Sequence, residues 1–67
     1  EVYIMKTYIC DYAISNPNSV IYYIERTFLG SSAVYNDMDE DRFEICVYDV
    51  SDLNKLDVAM KKYLYNE

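Results

Sequence analysis

The stretch 31–50, SSAVYNDMDEDRFEICVYDV, decides the fold. Over residues 42–50, Phe43, Ile45 and Val47 alternate with Glu44, Cys46 and Tyr48, the period of a strand with one buried face. Residues 31–38 alternate more weakly, Ala33 and Tyr35 against Val34 and Asn36. Asp39-Glu40-Asp41 joins the two strands, so a hairpin with about three to five loop residues is expected, although the usual turn glycine is missing.

Upstream lies a helix signature. Asn16 or Ser15 caps it, and Pro17 suits the first helical position, where its missing N–H costs nothing. Val20, Ile21, Ile24 and Phe28 form one stripe, and Gly30 suits a left-handed C-terminal cap. Residues 2–13, VYIMKTYICDYA, are rich in β-branched and aromatic side chains and read as the longest strand. Tyr3, Met5, Thr7 and Ile9 share one face of it, and Ile4, Lys6, Tyr8, Cys10 and Tyr12 the other; neither face is cleanly polar. Translation starting at Met5 and a strand already begun at Val2 both fit the sequence. Downstream, Ser51 is the expected cap of a second helix and Asp52 sits at the positive end of its dipole. Its stripe is Leu53, Leu56, Met60, Tyr63 and Leu64, assisted by Ala59, with Lys61 and Lys62 near its C-terminus.

The order β-α-β-β-α predicts one α+β, two-layer domain over residues 1–67. The expected sheet has three antiparallel strands in the order 1-3-2, with both helices on one face. The order of elements resembles a ferredoxin-like, split β-α-β arrangement lacking its last strand. Two expectations follow from the missing strand. The outer edge of strand one is unpaired and open to a strand from another chain. The opposite sheet face is bare, with Tyr8, Cys10, Tyr12 and Tyr48 or their alternates exposed on it.

Composition narrows the function. The 67 residues carry twelve acidic side chains against six basic ones, a net charge of −6, nine tyrosines and no histidine. A chain this short buries only about 60% of its unfolded surface, yet a hydrophobic fraction of 52% is too high for a disordered tail. The charge repels phosphate backbones, and Lys6, Arg26, Arg42, Lys55, Lys61 and Lys62 are scattered. Direct nucleic-acid binding is therefore not expected, although an RNA-binding sheet would also display aromatics. Lacking histidine, the chain lacks the commonest general acid/base and metal ligand. GxSxG, P-loop, GxGxxG and HExxH motifs are missing too, so neither catalysis nor a cofactor is expected. Asp37, Asp39 and Asp41 are spaced like the first ligands of an EF-hand loop. Arg42, however, stands where glycine is needed and Tyr48 where a bidentate glutamate is needed, so no metal is expected. Cys10 and Cys46 lie in apolar stretches and read as buried thiols in a reducing compartment, the cytoplasm, with a disulfide between them as the alternative. No apolar run reaches about 18 residues and no signal peptide is visible, so no membrane partner is expected.

What remains is an acidic run beside aromatics. Its plainest reading is a solvated turn, with the tyrosines as packing. The sharper reading is a contact patch in which Asp37, Asp39, Glu40, Asp41 and Glu44 engage a basic groove of a protein partner. Tyr35 and Tyr48 then serve as apolar anchors. In size and charge the chain is similar to the short proteins that phages and other mobile elements use against host defence enzymes. Anti-CRISPR and anti-restriction proteins are examples, and some mimic nucleic acid. That resemblance implies a protein-binding inhibitor working in the host cytoplasm. The competing expectation is a homodimeric assembly module, built by pairing strand one with its symmetry mate or by packing the bare faces together.

Overall fold

The computed structural model describes residues 4–66. Five main elements follow one another: β1 (Met5–Asp11), α1 (Pro17–Thr27), β2 (Ser32–Asp37), β3 (Arg42–Tyr48) and α2 (Leu53–Met60). The first residues of the predicted opening strand, Val2 and Tyr3, lie outside the described residues. The sheet order is β1-β3-β2, with β3 antiparallel to both neighbours, as the order of elements predicts.

Alternation along β3 sets every other face. Phe43, Ile45 and Val47 are fully buried beneath the helices. Directly paired residues of an antiparallel ladder share a face, and the register sets Tyr8 opposite Ile45, Cys10 opposite Phe43 and Ala33 opposite Val47. Tyr8, Cys10 and Ala33 therefore join the core, closed from above by Val20 and Ile24 of α1 and by Leu56 and Met60 of α2. Of the two face assignments that the sequence left open, the register thus selects the one that turns Tyr8 and Cys10 inward. Tyr12 packs its ring on Phe43 at 4.7 Å, and the open face carries the alternates Met5, Thr7, Ile9, Val34, Cys46 and Tyr48. Cys10 and Cys46 thus occupy opposite faces of the sheet, and both thiols are free.

The helix ends follow local chemistry. Asn16 caps α1 by accepting the Ser19 N–H at 2.9 Å, and Pro17 takes the first helical position. Gly30 adopts φ 93 beyond the last turn, where a side chain would strain the backbone. Asp52, rather than Ser51, caps α2 by accepting the Lys55 N–H at 3.1 Å, because the helix begins at Leu53, the first residue of its apolar stripe and one residue later than a cap at Ser51 requires. A hydrogen bond from the Tyr8 hydroxyl to Asp57 ties α2 to β1. Among the described residues no helix is long and apolar enough to cross a membrane.

The second helix stops short of its predicted stripe. It ends at Met60, a 3-10 turn covers Lys61–Tyr63, and Leu64 is extended. Leu64 forms an antiparallel bridge with Cys10, and the Tyr65 N–H donates to the Ile9 carbonyl at 2.9 Å. The outer edge of β1 is therefore half covered, which corrects the expectation of an unpaired edge. The short tail sits where the last strand of a ferredoxin-like sheet would lie. Tyr65→Pro removes that donor and should lower stability by about 0.5–1.5 kcal/mol in urea unfolding. An unchanged urea midpoint would show that the tail contributes nothing.

Candidate functional site

The acidic turn is held by its own first carboxylate. Asp39 accepts the N–H of Asp41 at 2.8 Å and that of Arg42 at 3.1 Å, and its second oxygen pairs with the Arg42 guanidinium at 3.0 Å. The Asp39 N–H donates in turn to the Arg42 carbonyl at 3.3 Å. An aspartate closing a turn on the backbone two and three residues ahead replaces the missing glycine. The Asp41 N–H, followed by the Arg42 side chain, holds the Asp39 carboxyl below its ordinary value of 3.8.

The strands then sort the remaining candidates. Asp37 is the last residue of β2, and its carboxylate accepts the Tyr12 hydroxyl at 2.7 Å. That bond is the first cause lifting the Tyr12 phenol to about 12, followed by partial burial and the negative charge of Asp37. Glu44 sits on the open face, half-buried, and accepts the Asn36 side-chain N–H at 3.0 Å. Glu40 and Asp41 are exposed at the tip of the turn.

The two proposed anchors separate. Tyr35 pairs with Ile45 on the helix side of the sheet, exposed along the outer strand. Tyr48 lies on the open face at the far end of β3, about 20 Å from the turn at the rise of an extended strand. It adjoins Cys46, which is the first cause raising its phenol pKa. The structure therefore gathers Asp37, Asp39, Glu40, Asp41 and Glu44 at one sheet end, with Tyr35 on the neighbouring strand and Tyr48 elsewhere.

Two residues join this end unannounced by local sequence. Asp11 is paired directly with Arg42, and Tyr12 holds Asp37 while its own N–H donates to the Asp41 carbonyl at 3.0 Å. Only a correct β1–β3 register would have found them. Six of the chain's twelve acidic residues thus meet at one end of the sheet, with Arg42 set among them. Backbone geometry and partner hydrogen bonds fix the turn, and its outermost carboxylates stay free to meet cations.

Because the Asp39 carboxyl is more acidic folded than unfolded, its contribution is complete above pH 3.8 and is lost as the pH falls through the folded value. Asp39→Asn should keep a side-chain acceptor for the turn while flattening the acid limb of a urea-midpoint profile. Parallel acid limbs in both proteins would show that this carboxylate does not control the turn. No family model, curated protein or solved structure gives a significant match to this chain.

Proposed function

We propose that the chain is a small protein-binding inhibitor or regulator. It presents the carboxylates of its hairpin end to a basic, nucleic-acid-binding surface of another protein. The supporting observation is the gathering of Asp11, Asp37, Asp39, Glu40, Asp41 and Glu44 around Arg42 in a chain of net charge −6. Such a field speeds encounter with a Lys/Arg-lined groove and disfavours nucleic acid itself. A turn already closed by Asp39 limits the ordering cost of association. Occlusion is the mechanism: carboxylates take up positions that phosphates would fill, with Tyr35 as the bordering aromatic. An anti-CRISPR or anti-restriction protein of a phage or mobile element, acting in the host cytoplasm, is the setting that this size and charge fit.

The structure selects the variant for testing this. Asp39 and Asp37 hold the turn and Tyr12, so their neutralisation would confound folding with binding. Glu40→Gln, Asp41→Asn and Glu44→Gln together remove three charges and leave those bonds in place. From a bacterial lysate, the wild-type chain should capture a nucleic-acid-handling protein stoichiometrically. The triple variant should lose it, as should the wild type in about 1 M salt, where the screening length falls to about 3 Å. Capture indifferent to both charge and salt would sink the proposal.

A second reading rests on a separate observation. Met5, Val34 and Tyr48 leave the uncovered sheet face 56%, 50% and 39% exposed, which two copies packed face to face would bury. A concentration-independent mass of 8.0 kDa in light scattering would exclude that homodimer.

A further inference from the structure

We infer that the edge of β1 between Met5 and Thr7 accepts an extended segment of another protein, one carrying a carboxylate opposite Lys6. The backbone supplies the first observation. The Tyr12 N–H donates to Asp41 and the Ile4 carbonyl accepts from Val50, so even-numbered residues of this strand turn their backbone groups toward β3. Odd-numbered residues turn theirs outward, and Ile9 meets the Tyr65 N–H there. Met5 and Thr7 also face outward, and among the described residues no backbone group meets them on that side. A strand edge with paired neighbours on one flank and free donors and acceptors on the other is a template for strand addition.

The second observation is a groove beside that edge. It has a volume of about 440 Å³ and is lined by Lys6, Tyr8, Asp57, Lys61, Leu64 and Tyr65, among others. In a strand added antiparallel, the residues opposite Met5 and Thr7 point to the open face. The residue between them, opposite Lys6, points to the helix side and into the groove.

Charge selects that residue. Lys6 and Lys61 line the groove, and neither forms an ion pair with a described residue. The groove's own carboxylate, Asp57, already accepts the Tyr8 hydroxyl. An incoming aspartate or glutamate therefore meets two ammonium groups against one carboxylate, a groove of net positive charge in an otherwise acidic protein. A second copy of the chain is the poorer occupant, because two β1 edges paired about this position set Lys6 against Lys6. The same charges exclude a lysine- or arginine-bearing strand. This surface is independent of the acidic turn.

The test is an amide NMR titration of the intact chain with a blocked peptide, Ser-Thr-Val-Glu-Val-Thr-Ser, and its counterpart with Lys in place of Glu. The Glu peptide should shift the amide signals of residues 5–7 saturably and slow exchange of the Met5 and Thr7 amides. It should bind about tenfold tighter than the Lys peptide. Lys6→Glu with Lys61→Glu should reverse that preference, and Lys6→Gln with Lys61→Gln should abolish it. Shifts confined to other surfaces, equal binding of both peptides, or no saturable shift up to about 1 mM peptide would overturn the inference. So would concentration-dependent shifts at residues 5–7 without peptide, which would assign the edge to a second copy.

Discussion

Phe43, Ile45 and Val47 pack beneath two helices while their strand is hydrogen-bonded on both sides, and the rest of the molecule depends on that double commitment. A strand paired at both edges cannot slip by one residue without turning these three side chains out of the core. The register it holds brings Tyr8 and Cys10 inward. Tyr8 in turn reaches Asp57 and anchors α2, and burial together with that bond raises its phenol pKa. Cys10 is sealed so completely that burial lifts its thiol to about 11, which leaves it a small hydrophobe rather than a nucleophile.

The arrangement of charge follows from the same frame and from the tyrosines. Arg26 lies over the Tyr22 ring and donates to its hydroxyl, Lys62 lies over Tyr23 and Tyr63, and Lys6 lies near Tyr8. These cations rest on aromatic faces rather than on carboxylates. Asp39–Arg42 is the ion pair found among the described residues. The carboxylates at the turn consequently keep most of their field. The abundance of tyrosine and the uncompensated acidity are two aspects of one arrangement.

The pattern of β3 was legible because its alternation spans seven residues without interruption, and Asn16-Pro17 and Gly30 marked α1 by chemistry that has few other uses. Strand order then followed from the order of the elements. The faces of β1 were not legible, since Met5 and Ile9 on one side are as apolar as Tyr8 and Cys10 on the other; only pairing with β3 distinguishes them. The end of α2 was missed for a related reason. Leu64 fits a helical stripe, but its backbone is drawn to the free edge of β1 and its side chain still packs on the core. Asp11 joined the acidic end through a partner far along the chain, a relation that no local pattern carries.

The open face is less bare than a two-layer sheet implies. Cys46 is buried there although no element among the described residues covers that face; its neighbours include Thr7, whose hydroxyl approaches its sulfur at 3.8 Å. Exposure of apolar side chains is instead concentrated where Met5 pairs with Tyr48 and Val34 pairs with Cys46, toward the end of the sheet opposite the acidic turn. One strand length therefore separates an apolar end from an acidic end. A basic partner seated on the turn has no need of Tyr48 or Met5, and a second copy packed on those residues leaves Glu40 and Asp41 in solvent. The proposed inhibition through the turn and the proposed association through the sheet face therefore use separate surfaces of one small fold.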